Sequence, residues 1–450
     1  MRLTFLAALL AVGAHAAQSS SPLAPVPAFS KKAAAVPRGG EDFGPATAEV
    51  APSVFNLVNN VAGAGLLTLA AGMAKGTGWV PSILTCMCLG AASGHTFNLI
   101  GESCRLTNEG SFKGVWTKTL GDNTYVIDLI VAMMCTGASI IYSGILGDVS
   151  KELLSAVGIE TDRSKNILMI TVGVLFPLSL IKNLSALAFT SILGFASIVY
   201  TVLFIIFRSM DGTYGPLGKF IVDDVIKKPD FSKSSLLNFD FTTLVLMSNL
   251  GLAYIAHYNA PTYYRELRDK TQFKKMVAIS FSILTVLYAA VMAAGYGTFG
   301  DICEGNILLN YHPSDFLSTL GRVATGISIL FGFPLAFCGV TSGMMGVAER
   351  FDVGIVLKNR TALIAALLAF VTYIAIAVPD ISLIVGVVGA AMGSLIVYIL
   401  PPLIYTKAVY VSHGKDSVEY KKSLKNIALV PFGVLFAILG VGMTVKESMK

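Results

Sequence analysis

The stretch Ser53-Val-Phe-Asn56-Leu-Val-Asn59-Asn60-Val-Ala-Gly63-Ala64-Gly65-Leu66-Leu67 decides the fold. It belongs to an apolar run, about 53–74, long enough for one crossing of a bilayer. Three asparagines and two glycines sit inside the quoted stretch 53–67. Gly63-Ala64-Gly65 weakens a helix in mid-membrane, where freed N–H and C=O groups find no water. Such a break is tolerated only where the backbone lines a cavity or holds a ligand. Close helix packing through small residues would explain the glycines but not the asparagines. A phosphate-binding loop is excluded, since no strand precedes Gly63-x-Gly65 and the third glycine is absent.

Outward along the chain, a second span has the same character. Ser248-Asn249-Leu-Gly251-Leu-Ala-Tyr254-Ile-Ala-His257-Tyr258-Asn259-Ala-Pro261 carries Gly, His, Asn and Pro through an apolar run. Two interrupted helices at corresponding positions of two halves point to a transporter site at the repeat interface. The N-termini of half-helices face an anionic group, and freed carbonyls face a cation. A zwitterionic amino acid satisfies both ends.

The rest of the chain fits a polytopic membrane protein. Of 450 residues, 13% are charged and 54% hydrophobic, and the mean hydropathy is +0.71. A soluble domain carries about 25% charge, and disorder needs low hydrophobicity, so both are excluded. The net charge of +6 is too diffuse for nucleic acid, with no basic run denser than Lys274-Lys275 or Lys421-Lys422. Six cysteines form no disulfide framework, and Cys86-x-Cys88 has no metal-site spacing. No paired carboxylates, HExxH or Ser-His-Asp set offers an enzyme its groups, so no catalytic residue, metal or cofactor is expected.

Eleven helical spans are expected: about 53–74, 77–100, 125–147, 165–182, 186–207, 241–260, 275–298, 317–339, 361–379, 381–406 and 426–445. With the N-terminus inside, 20 Lys and Arg lie in inner segments and 12 in outer ones, five of these in the long loop 208–240. The positive-inside rule therefore favours N-in, C-out. The sequons at Asn183 and Asn359 then face inward and stay unglycosylated.

Residues 1–16 read as a signal peptide: Arg2, the apolar Leu3–Gly13, and the small-x-small site at Ala14-His15-Ala16. Residues 17–50 are expected to be disordered, and 17–40, which are basic and acid-poor, also fit a transit peptide. Ordinary secretory cleavage would invert every loop. Three readings resolve the conflict: an uncleaved segment, a span count off by one, or a two-step plastid address. The membrane stays open between plasma membrane, vacuole and plastid envelope.

Among single residues, His257 reads equally as a proton relay or as a histidine hydrogen-bonded between helices. His95 reads as interfacial and Asp128 as structural. Ser139 and Tyr142 in the third span are candidates to face the cavity, and Tyr142 reads equally as simple packing.

At these residues the chain resembles the amino acid/auxin permease family. The resemblance covers 51–446 and rests on FNLVNNVAGAGLLTL (55–69), DLIVAMMCTGASIIYSGILGD (128–148), PLSLIKNLSALAFTS (177–191), AHYNAPTYYREL (256–267), GYGTFGDICEGNILLNY (295–311) and PDISLIVGVVGAAMGSLIVYILPPLIY (379–405). It implies an all-α membrane protein of eleven helices in a five-plus-five inverted repeat, leucine-transporter-like, with helices one and six broken. It further implies ion-coupled symport of amino acids by alternating access, with spans one, two, six and seven rocking against the rest. The substrate site carried over falls on Asn59, Gly63, Ala64, Gly65 and Leu66, on Ser139 and Tyr142, and on Ala253, Tyr254 and His257. Asn59 and His257 would serve ion coupling.

Two departures stand out. Ala70 replaces the proline usual after the first break, and Ile329–Phe333 offers no hydroxyl before Pro334. The second removes oxygen ligands that Na+ needs, so H+ is favoured over Na+. The expected partners are an amino acid substrate, the coupling ion and the lipid bilayer. A monomer is expected. Rival functions are transport of another small organic solute such as auxin, and a non-transporting amino acid sensor.

Overall fold

The computed structural model describes residues 46–181, 188–221 and 226–449. The expected signal peptide, the stretch 17–45 and the sequon at Asn183 lie outside the described residues. Ala48, within the stretch expected to be disordered, pairs with the loop after the sixth span, its N–H donating to Glu266 O at 3.0 Å and its carbonyl accepting from Arg268 N at 2.8 Å.

The helices are α1 (Val50–Val61), α2 (Ala64–Ala74, opening as a 3-10 turn), α3 (Trp79–Thr107), α4 (Phe112–Leu120) and α5 (Tyr125–Ala156). Next come α6 (163–180), α7 (Ala188–Met210), α8 (Thr243–Ala253) and α9 (Ala260–Glu266). The last are α10 (Lys270–Phe299), α11 (Phe316–Arg350), α12 (Arg360–Ala377), α13 (Ile381–His413) and α14 (Val418–Ser448). Among the described residues no strand forms, only two isolated bridges.

Eight of these helices are long and apolar enough to cross a membrane, and α1 with α2, bent by 51°, makes a ninth. The two remaining expected spans fall short for visible reasons. α6 opens on Arg163, Lys165 and Asn166, and the sixth span is cut into halves of eleven and seven residues.

Local chemistry sets the boundaries. Asn108 ends α3 in the left-handed conformation (φ 55°), which Asn tolerates. Ser111, Asp162, Asp315 and Asp380 accept N-terminal amides of α4, α6, α11 and α13. Pro177 has no N–H to offer the preceding turn, and α6 widens into a π turn at Thr171–Leu175 just before it. Pro401-Pro402 do the same to α13, whose Gly389–Ile399 stretch is π-helical. Outward faces are apolar too: Leu203, Phe370, Tyr373 and Ile438 are more than half exposed, as a lipid-facing surface requires.

Two groups of helices result. α5 packs most extensively against α11, with α7 and α12 alongside. Asp148 of α5 holds Arg163 of α6 at 2.6 Å, and Arg163 also reaches Ala375 O of α12 at 2.9 Å. The other group sets α10 against α3 and against the broken α1–α2 pair, with α8 packed on α2. α8 in turn meets the π stretch of α13, where a Cβ on Gly389 would fall 1.9 Å from Ser248 O. Only glycine permits that approach of two backbones.

Candidate functional site

The site grows from the two breaks. α1 ends at Val61, Gly63 takes an extended conformation (φ −112°, ψ −149°), and the chain resumes as the 3-10 turn Ala64–Thr68. α8 ends at Ala253, and the chain turns through Tyr254, Ile255 and Ala256 into the 3-10 turn His257–Asn259. Pro261 then starts α9, where a missing N–H costs nothing.

The two breaks touch. A Cβ on Gly65 would lie 3.0 Å from Ala253 Cα, so Gly65 is small because the other break passes against it. Each break presents both helix polarities: α1 and α8 end in carbonyls, and the turns after them begin with amides.

Freed carbonyls find donors from neighbouring helices. Tyr288 of α10, fully buried, places its hydroxyl 2.7 Å from Ala253 O and 3.1 Å from Val61 O. Asn249 Nδ2 of α8 donates to Thr68 O at 2.9 Å, and Thr68 Oγ1 donates to Gly65 O at 2.8 Å. These bonds hold the break open in a fixed shape, since a buried unpaired carbonyl costs about 1–3 kcal/mol.

The expected site residues divide. Gly63, Ala64 and Asn59 are half-buried, while Gly65 and Leu66 are buried, Gly65 in the contact between the breaks. Tyr142 of α5 faces the first break, its hydroxyl 3.7 Å from where a Gly63 Cβ would stand. The ring of Tyr142 also lies 3.8 Å from the corresponding point at Gly332 of α11. Tyr142 thus bridges the first break and α11.

Three expected side chains point elsewhere. Ser139 is fully buried and its hydroxyl donates to Cys135 O in its own helix at 2.8 Å. Tyr254 turns its ring between α3 and α10, its hydroxyl 3.0 Å from Thr285 Oγ1 and 3.2 Å from Cys86 O. Only its backbone belongs to the break. His257 also points to α3: Nε2 lies 2.9 Å from Thr96 Oγ1 and 3.0 Å from Ser93 O, and the ring packs on Phe97 and Phe281. Its Nδ1 has no partner among the described residues. Since Ser93 O only accepts, Nε2 carries a proton and Nδ1 is the free acceptor of the neutral ring.

Tyr288 and the π stretch of α13 were not legible as parts of the site. Tyr288 lies in Leu284-Thr-Val-Leu-Tyr288, an ordinary apolar run. Asn249 stood in the interrupted span, but nothing in the sequence showed that its side chain serves the other break. Among the described residues no cluster of three or more His, Cys, Asp or Glu could hold a metal.

The model of the family described as transmembrane amino acid transporter protein matches residues 46–446. The chain is similar to vacuolar amino acid transporter 2 of Saccharomyces cerevisiae, 24% identical, with 88% of this chain and 82% of that protein covered. It is likewise similar to sodium-coupled neutral amino acid symporter 2 of Danio rerio, 24% identical over 89% of this chain and 81% of that one. Among solved structures it is similar to MhsT in complex with L-phenylalanine, with a TM-score of 0.49 and 14% identity, covering 86% of this chain and 98% of that one.

Proposed function

The chain belongs to the transmembrane amino acid transporter family, and from that premise we propose that it is a secondary active transporter of neutral amino acids. It works by alternating access and is coupled to H+ rather than Na+. In this reading it has eleven spans in a five-plus-five inverted repeat, with α6 and the α8–α9 pair as the two crossings that length and composition alone do not mark.

One observation supports this best: the two breaks meet at Gly65 and Ala253. Two half-helix C-termini and two N-termini therefore converge in one place. An α-carboxylate is held by amides at a helix N-terminus, and an α-ammonium by carbonyls at a C-terminus. No side-chain charge is needed, which suits a substrate whose own charges cancel. Neutral amino acids are also what the named Danio rerio relative carries. In this reading Asn59, Gly63, Ala64 and Tyr142 bound the substrate side chain. His257, with its free Nδ1, is the titratable group beside the second break and serves as the proton site.

Purified protein in liposomes tests the reading. Labelled neutral amino acids should accumulate when an inward H+ gradient is imposed and stop when it is collapsed. Absence of gradient-driven flux for every amino acid tried would refute it.

A further inference from the structure

Val61 and Ala253 are the last residues of α1 and α8. Their carbonyls carry the negative ends of two helix dipoles, and they converge on one point. In transporters with discontinuous helices, such carbonyl ends are where a coupling cation is held. The Danio rerio relative is sodium-coupled by name, so whether the residues here fit Na+ can be asked of the geometry.

They do not fit. The Tyr288 hydroxyl already occupies the point of convergence, 2.7 Å from Ala253 O and 3.1 Å from Val61 O. Val61 O also accepts from Gly63 N at 2.8 Å. A phenol brings one proton, which the closer Ala253 carbonyl takes and the Val61 carbonyl shares. A hard cation needs bare oxygens, several at once; Val61 O already takes two protein donors, and the lone pair of Ala253 O that faces the point of convergence takes the Tyr288 proton. The ring cannot swing aside easily, because Tyr288 is fully buried and its ring packs on that of Tyr254, 5.0 Å between centroids.

We infer that the Tyr288 hydroxyl stands where a monovalent metal cation would otherwise join the two half-helix ends, so that this chain holds its breaks together without Na+. Tyr288 is a positioning residue, acting through backbone carbonyls rather than on the substrate. The inference deepens the proposed H+ coupling and rests on it only for the uptake arm of its test.

The test compares wild type with Tyr288→Phe, which keeps the ring and removes the donor. Unfolding midpoints of the purified full chain are measured in NaCl, LiCl and KCl against choline chloride at equal ionic strength. Wild type should show the same midpoint in all four. Tyr288→Phe should fall in choline and recover in NaCl or LiCl, because a cation bound only to the folded form stabilises it. In liposomes under an H+ gradient, wild-type uptake should be indifferent to Na+. Uptake by the variant should drop about tenfold in choline and regain at least about half when Na+ or Li+ is supplied.

The inference is overturned by wild type that Na+ stabilises or that needs Na+ for uptake. It is equally overturned by a variant that matches wild type in choline, or by a folded variant that no alkali cation moves. Should Tyr288→Phe not fold, the wild-type arm decides alone. A wild type that carries no amino acid yet shows the expected midpoints would sink the transport reading and leave this inference standing.

Discussion

α11 and the α1–α2 pair cross the same layer, and proline placement alone would pick the wrong one as the broken helix. α11 carries Pro334 in its middle and runs unbroken from Phe316 to Arg350. The first span has no proline between 53 and 74 and bends by 51°. Glycine does not explain the contrast either, since α5 holds Gly137, Gly144 and Gly147 and stays helical for 32 residues. The difference lies in the neighbours. Three carbonyls released at the first break meet donors: Tyr288 and Gly63 N for Val61 O, Thr68 Oγ1 for Gly65 O, Asn249 Nδ2 for Thr68 O. A helix breaks in a membrane where other helices have already placed the partners it will need.

The ends differ in the same sense. α5 is held by ion pairs, Lys113 to Asp128 at 2.7 Å and Arg163 to Asp148 at 2.6 Å. The half-helices α1 and α9 are held by neutral bonds to backbone, Tyr263 Oη to Asn56 O at 3.2 Å and the Ala48–Leu267 bridge. Those contacts tie α1 to α9 more directly than to the α5–α11 group, as two pieces that move together would be tied.

Four substitutions would break or sharpen this contrast. Gly65→Leu forces a branched side chain against the Ala253 backbone and should reduce uptake about a hundredfold or more in protein that still folds, read as initial rate in liposomes. Asn249→Ala leaves Thr68 O unpaired and should cost about 1–3 kcal/mol of stability, with uptake down about tenfold. His257→Gln keeps a donor toward Ser93 O and removes the titratable ring. Exchange without a gradient should stay within about threefold of wild type, while accumulation driven by the H+ gradient is lost and the pH profile flattens, because the proposed proton site is gone. Pro334→Ala should matter least, within about twofold in uptake, because α11 is already whole and regains an N–H. A large loss there would make α11 a hinge and erase the distinction between the two regions.

Much of this was legible in the sequence, and the limits were physical. Asn59, Gly63 and Gly65 marked the first break because helix packing accounts for glycines in an apolar run but not for asparagines beside them. The second break was marked by Gly251, His257 and Pro261. Side-chain direction was not legible: Tyr254 and His257 lie in the broken span, yet both turn toward α3, which depends on how α3 and α10 pack around them. Tyr288 was invisible because an apolar helix with one tyrosine every few turns is ordinary. Its role exists only once two distant carbonyls are brought within reach of it.

The central claim is that helix ends, not charged side chains, hold both charges of a neutral amino acid. Competition for uptake tests it most directly, using a transported neutral amino acid, its carboxyl amide and its N-acetyl derivative against the labelled substrate. The account predicts that both blocked compounds compete about a hundredfold more weakly than the parent, since each leaves one pair of helix ends unanswered. An N-acetyl or amide derivative that competes as well as the parent would contradict it.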